Sequence, residues 1–325
     1  MAQYVVAVAD SVFPNLDPAN QVLSAIGAEL KLAADSSPEA VMKVAADADA
    51  VLVTYAKINA DMIRQMKRVR IISRFGIGVD NVDLDAATQQ GIVVTKVPDY
   101  CIDEVSDHAM ALLLTAVRKI PLVNDQVHAG TWKMPNVVPI HRLRGSVLGL
   151  VGFGRIPQLV APKAKAFGMR VVAFDPYVPP DAFQNLGVER VDFAELLKMS
   201  DYVSIHSPLT PETKGLFNGD AFRQMKKGSY LVNTARGPII DEAALAAAID
   251  SGQLAGAALD VMTNEPPVGS PVIGKRNVII TPHTSFYSEE SLVDLQTKAA
   301  QEVANVLTDK PPLNPVNPDV LQSTK

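Results

Sequence analysis

Short apolar runs alternate along the chain with longer segments whose apolar residues recur every three or four positions. Residues 4–9, 50–55, 70–75 and 92–95 have the continuous apolar character of strands buried on both faces. Between them, 20–26, 38–46, 60–66 and 84–90 carry helical spacing. After a polar stretch at 124–144 the alternation restarts. Strands are predicted at 147–151, 170–174, 201–206, 229–234, 255–260 and 277–280, with helices near 155–167, 193–199, 219–225 and 241–251. Strand–helix alternation of this kind builds parallel sheets covered by helices on both faces. The expected fold class is therefore α/β, with two Rossmann-like doubly wound domains and a cleft between them. Longer helices at about 103–119 and 289–308 read as interdomain helices. The expected boundaries are 1–98 plus about 292–325 for one flavodoxin-like domain and 99–291 for the other.

Length and charge narrow the function classes. At 325 residues the chain exceeds one ordinary core, which agrees with two domains. A net charge of −5 disfavours a nucleic-acid surface, which needs clustered Lys and Arg. Cys101 is the single cysteine, so no internal disulfide is expected and the cytoplasm is the default compartment. The first ten residues lack a basic leader and read as a strand rather than a signal peptide. No apolar stretch reaches the ~20 residues of a membrane span, so no membrane partner is expected.

Ser146-Val-Leu-Gly-Leu-Val-Gly152-Phe153-Gly154-Arg155-Ile156-Pro157 is a strand entering a glycine turn and then a helix. Gly152 permits the tight turn, and Gly154 lets backbone approach a pyrophosphate at the positive end of the helix. Asp175 closes the next strand, where its carboxylate can bind both ribose hydroxyls and repel a 2′-phosphate. That favours NAD over NADP. A purely structural βα turn is the alternative. Pro157 replaces the third glycine of the fingerprint, and Pro162 lies mid-helix, so a kinked or displaced helix is expected. No metal-ligand set is expected.

Polar residues sit just beyond successive strands: Asp175, His206 with Ser207, Arg236, Asp260 and His283. In a parallel sheet these points share the carboxyl edge, where ligands bind. Two of these residues and the nearby Glu265 make a chemically complete set. His283 can move a proton near neutral pH. Glu265 could hold one ring nitrogen and favour the protonated ring. Arg236 offers a planar fork for a carboxylate and a positive charge for a keto oxygen. Each has a plainer alternative: an exposed loop His, a solvated acid, a structural ion-pair partner. His108 and His128 read as structural.

These motifs resemble the D-2-hydroxyacid dehydrogenase family, the group that includes the phosphoglycerate dehydrogenases and the C-terminal binding protein corepressors. The resemblance is carried by Arg74-Phe-Gly-Ile-Gly-Val-Asp-Asn-Val-Asp83, Gly152-Phe-Gly-Arg-Ile156, His206-Ser-Pro-Leu-Thr210 with Thr213, and Val232-Asn-Thr-Ala-Arg-Gly237. Ala258-Leu-Asp-Val261, Glu265-Pro266 and Thr281-Pro-His283 complete it. Residues 97–108 and 281–288 look most like bacterial relatives of the corepressor branch. The resemblance implies an NAD-dependent oxidoreductase interconverting a small D-2-hydroxy acid and its 2-keto acid. It implies His283 as acid/base, Glu265 as its partner and Arg236 as the carboxylate and carbonyl anchor. Backbone amides around Gly76, Ile77 and Gly78 would hold the substrate carboxylate. Gly152, Gly154, Arg155, Ile156, Asp175, His206, Ser207, Pro208, Thr213 and Thr234 would line the dinucleotide, and Asp260 would orient the nicotinamide carboxamide. A homodimer formed through the cofactor domain is implied as well. Glu265 separates the chain from formate dehydrogenase relatives, which carry Gln there.

Two other readings stay open. Phosphoglycerate oxidation would need extra cations near the substrate loop. Arg74 is one candidate, but Thr54-Tyr55-Ala56-Lys57-Ile58 is more apolar than a phosphate site suggests. An NAD(H)-sensing, corepressor-like binding protein would keep the same residues without turnover. A methyltransferase with a glycine turn is a third, but it leaves Arg236, Glu265 and His283 without a task.

Overall fold

A computed structural model describes residues 2–133 and 137–321. The chain divides into two compact units, one formed by Met1–Tyr100 with Ser288–Lys325 and the other by Cys101–Tyr287. Residues 134–136, within the polar stretch at 124–144, and the last four residues of the chain lie outside the described residues.

The first unit alternates strictly. Its elements are β1 (Tyr4–Val8), α1 (Asp17–Ser24), β2 (Ala28–Leu32), α2 (Pro38–Ala45), β3 (Ala50–Val53), α3 (Ala60–Gln65), β4 (Ile71–Arg74), α4 (Leu84–Gln89) and β5 (Val93–Thr95). All strand pairs are parallel, in the order β2-β1-β3-β4-β5. The chain reverses direction across the sheet between β1 and β3. β3 and β4 are buried at every position, as continuous apolar runs require in a sheet covered on both faces. β2 is an edge strand with Glu29 and Lys31 among its residues, and its mixed pattern gives no strand signal in the sequence. Asn317 fastens the C-terminal tail to this sheet. Its side chain accepts from Val94 N–H at 2.8 Å and donates to the Ile92 carbonyl at 2.9 Å.

The second unit holds α5 (Ile102–Val117), α6 (Ile120–His128), β6 (Val147–Val151), α7 (Arg155–Ala166), β7 (Arg170–Phe174), α8 (Pro180–Asn185), β8 (Glu189–Arg190), α9 (Phe193–Met199) and β9 (Tyr202–Ile205). It continues with α10 (Gly219–Gln224), β10 (Ser229–Asn233), α11 (Glu242–Asp250), β11 (Leu254–Leu259) and β12 (Val278–Ile280). Its seven strands run β12-β11-β10-β9-β6-β7-β8 and are parallel throughout. The order reverses between β6 and β9, the place where such sheets bind ligands beyond their carboxyl ends. One apolar layer joins α5, α7 and the sheet through Leu113, Phe153 and Val160, with Phe153 stacked on Phe183 at 4.4 Å.

α5 lies on α7, β10 and β11, and α12 (Glu289–Leu307) lies on α1, β3 and β4. The helix expected over 103–119 stops at Val117. Lys119 adopts a left-handed conformation (φ 55), and α6 follows with a proline in its first turn. α7 runs as one helix through Pro162. Pro157 occupies its third position, where a backbone N–H would have no intrahelical acceptor, so the ring removes no hydrogen bond there.

Candidate functional site

The glycine turn after β6 is shaped by close backbone approach. Gly152 has φ 93, and a β-carbon there would come within 2.8 Å of the His206 carbonyl carbon and the Ser207 nitrogen. Only glycine lets the ends of β6 and β9 meet so tightly. Gly154 caps α7 without a side-chain bond, and the space where its β-carbon would stand is open. Arg155 and Ile156 open the helix, so its N-terminal N–H groups and positive dipole end face that opening.

Asp175, at the end of β7, organises the same turn. Oδ2 accepts the Phe153 N–H at 2.8 Å, and Oδ1 accepts the Tyr177 and Val178 N–H groups at 2.9 and 3.1 Å. Its carboxylate is therefore oriented before any ligand arrives. Past β9, the His206 ring nitrogen Nε2 lies 2.8 Å from Ser204 Oγ, and burial lowers its pKa to about 3. That ring is neutral throughout the physiological range. Thr213 Oγ1 donates to the Pro208 carbonyl at 2.6 Å and fixes the 208–213 turn.

Two buried hydroxyls at this edge, Ser207 Oγ and Thr234 Oγ1, have no hydrogen-bond partner among the described residues. Buried polar atoms are costly unless paired. Two of them at adjacent strand ends, beside an open helix N-terminus, fit a polar dinucleotide that would complete their bonding.

The prospective reaction residues lie at the carboxyl edge of β10, β11 and β12. Asn233, the last residue of β10, braces the following loop by accepting the Ala235 N–H and donating to the Arg236 carbonyl, both at 2.9 Å. Gly237 then passes so close to Met262 that a β-carbon would fall 2.0 Å from its carbonyl carbon. This contact, which sequence reasoning missed, sets the Arg236 loop against the loop bearing Glu265. Glu265 Oε1 accepts the Met262 N–H at 3.0 Å, and Oε2 lies 2.7 Å from His283 Nδ1. Burial alone would raise the Glu265 carboxyl. The hydrogen bond from His283, attraction to its ring, the Met262 N–H and the Arg236 charge outweigh that and hold it below the ordinary carboxylate range.

Asp260 does more than the sequence suggested. Its carboxylate accepts Thr284 N–H and Ser285 N–H, each at 2.9 Å, and its backbone oxygen accepts His283 N–H at 2.8 Å. It thus ties down the loop that presents His283. Thr281 and His108, neither of which the sequence singled out for chemistry, join this group.

Gly76, Ile77 and Gly78 belong to the first unit, where they follow β4. Gly76 N–H bonds the Arg74 carbonyl, while the N–H groups of Ile77 and Gly78 find no acceptor among the described residues. The Arg74 guanidinium lies over Gly76, with Nη1 1.1 Å from where a β-carbon would stand. Free amides beside a cation suit a carboxylate.

Comparison with known proteins agrees with this geometry. Residues 110–285 match the family model described as D-isomer specific 2-hydroxyacid dehydrogenase, NAD binding domain. The chain is 38% identical over 306 residues to a D-3-phosphoglycerate dehydrogenase of Methanocaldococcus jannaschii, covering 94% of this chain and 58% of that protein. It therefore spans little more than half the length of the curated relatives it matches. Among solved structures it resembles a glyoxylate reductase from Paecilomyes thermophila (TM-score 0.88, 27% identity, 98% of this chain and 100% of that one). It also resembles an Aquifex aeolicus D-lactate dehydrogenase complexed with NAD and lactic acid (TM-score 0.86, 28% identity, 98% of each chain). With a family match over more than half its length and a glycine turn built for a dinucleotide, the chain belongs to the D-isomer-specific 2-hydroxyacid dehydrogenases and carries their NAD-binding domain.

Proposed function

We propose that the chain is an NAD-dependent dehydrogenase that interconverts a small D-2-hydroxy acid and its 2-keto acid. The observation that carries this reading is the 2.7 Å bond between His283 and Glu265, on a loop adjoining Arg236 at the carboxyl edge of an NAD-binding sheet. Ser207, Thr234 and the start of α7 would hold the dinucleotide, with Asp175 on its ribose. When bound, the nicotinamide supplies or accepts the hydride. A carboxylate only accepts, so the Glu265 bond places a hydrogen on His283 Nδ1 and leaves Nε2 to exchange the substrate's proton. In reduction, Nε2 gives its proton to the oxygen that becomes the hydroxyl. In oxidation, Nε2 takes that proton back. Arg236 stabilises the negative charge developing on the same oxygen.

The names of the curated relatives favour a second reading, oxidation of 3-phosphoglycerate. Against it, the first two N–H groups of the loop after β3, at Thr54 and Tyr55, are already taken by the Asp10 carboxylate at 2.8 and 2.7 Å. A screen of NADH oxidation against glyoxylate, pyruvate, hydroxypyruvate and its 3-phosphate ester separates the readings. The proposal expects turnover of an unphosphorylated acid. NADH binding with no turnover of any acid would instead favour a sensing role.

We further propose a cytoplasmic homodimer. α6 has no buried residue, and Ile120, Val127, Trp132 and Val138 nearby are exposed, an apolar surface that a second copy would cover. The single cysteine is buried and in no disulfide, and no described helix is long and apolar enough to cross a membrane.

A further inference from the structure

His283 holds φ 54, a left-handed conformation that a β-carbon disfavours, so its loop depends on outside support. Asp260 gives that support from a side chain with no exposed surface. Besides Thr284 N–H and Ser285 N–H, its carboxylate accepts the Thr281 hydroxyl at 2.5 Å. These three donors are all neutral, and a buried carboxylate held by neutral donors alone is costly. An ionisable group approaches it. His108, on α5, has Nε2 3.6 Å from Asp260 Oδ1 and 3.1 Å from Thr281 Oγ1.

Hydrogen counting fixes the direction of the chain. Thr281 has one hydroxyl hydrogen, and a carboxylate cannot donate, so that hydrogen goes to Asp260. Thr281 Oγ1 can then only accept from His108, and Nε2 of His108 must carry a hydrogen. Donation therefore runs from His108 to Thr281 to Asp260, whose carboxylate also accepts the Thr284 and Ser285 N–H groups and whose backbone oxygen accepts the His283 N–H. On the same helix, the neighbouring Asp107 is paired with Lys163 of α7, which lies 2.5 Å from it and also meets Ser106. The nearby charge is thus matched elsewhere, and the His108 ring is committed to the Thr281–Asp260 pair.

We propose that His108 is a positioning residue for the reaction: by donating from Nε2 to Thr281, it polarises and fixes the pair that holds the His283 loop. This rests on the dehydrogenase reading above. His108 acts only through Thr281 and Asp260 and touches no reacting atom. A residue that merely filled space on α5 would be replaceable by bulk alone, whereas a donor is replaceable only by a donor.

The test uses the full chain with His108→Ala, His108→Gln and Thr281→Val. The Gln amide nitrogen reaches nearly where Nε2 stands. His108→Ala should lower kcat for the best keto acid about 10-fold, the size of effect a displaced reacting group produces, with the KM for NADH within about 2-fold. His108→Gln should recover most of that kcat. Thr281→Val should match His108→Ala, and the double variant should be no worse than either single one. A His108→Ala kcat near wild type, a Gln variant as poor as Ala, or additive losses would each overturn the proposal. If His108→Ala does not fold, His108→Leu, which keeps bulk and loses the donor, takes its place in the cycle with Thr281→Val. The His283 ring is also followed by NMR across pH without substrate. Its titration should differ between wild type and the His108 variant, and an identical titration would overturn the proposal. If wild type reduces no keto acid, the dehydrogenase reading fails, while the NMR comparison still decides whether His108 controls His283.

Discussion

His283 Nδ1 and Glu265 Oε2 lie 2.7 Å apart, and the Glu265 carboxyl is held below its ordinary range, so the pair meets as imidazole N–H and carboxylate at neutral pH. That carboxylate therefore sits directly against the ring that moves the proton. Glu265→Gln removes the charge and keeps the shape, so the fall of the reductive rate with rising pH should begin at lower pH. NADH affinity should change little. The linked stability has the opposite limb. A carboxyl depressed in the folded state stabilises above its unfolded value, and that contribution is lost as pH falls through the folded one. An unchanged rate profile in a well-folded Gln variant, measured by kcat/KM from pH 5 to 9, would remove Glu265 from the mechanism.

Arg236 sits on a loop pinned at both ends by Asn233 and by the close approach of Gly237 to Met262. Arg236→Lys keeps the charge and loses the planar fork. We expect kcat/KM for the keto acid to fall at least ~10-fold, or about 1.4 kcal/mol of transition-state binding. Steady-state kinetics with the best keto acid check this, and a near-wild-type value would make Arg236 a structural residue.

Asp175 predicts a strong preference for NADH over NADPH, read as the ratio of kcat/KM on one keto acid. Because its carboxylate also receives the Phe153, Tyr177 and Val178 N–H groups, Asp175→Ala should weaken NADH use as well as relax discrimination. Equal use of both cofactors by wild type would contradict the assignment.

His206 gives a stability prediction. Its folded pKa is lowered to about 3, while an unfolded His keeps about 6.5. Between these values the unfolded chain binds the extra proton, so stability rises with pH through the window and levels off above it. His206→Gln should flatten that part of the profile, measured as Tm from pH 4 to 7.5. A parallel profile for the two proteins would show that His206 charges in the folded state.

The site was legible where chemistry and chain position coincide. Asp175, Arg236, Asp260 and His283 are polar residues ending apolar runs, and a parallel sheet must bring such ends to one edge. Pairings between distant residues were not legible. His108 and Thr281 are 173 positions apart, and nothing in their local patterns predicts a hydrogen bond. The backbone contact between Gly237 and Met262 carries no side-chain signal either. In the fold, the elements missed were those with the weakest apolar pattern: the edge strands β2 and β8, α8, and α6, which buries none of its residues.

In the proposed reaction His283 moves the substrate's proton while other residues hold the dinucleotide. The most direct measurement compares wild type with His283→Ala for NADH binding, by fluorescence titration, and for single-turnover reduction of the best keto acid. We expect unchanged NADH affinity and a reduction rate lower by at least ~100-fold, the usual contribution of a positioned proton donor. A variant that reduces the keto acid at a rate near wild type would contradict the role given to His283.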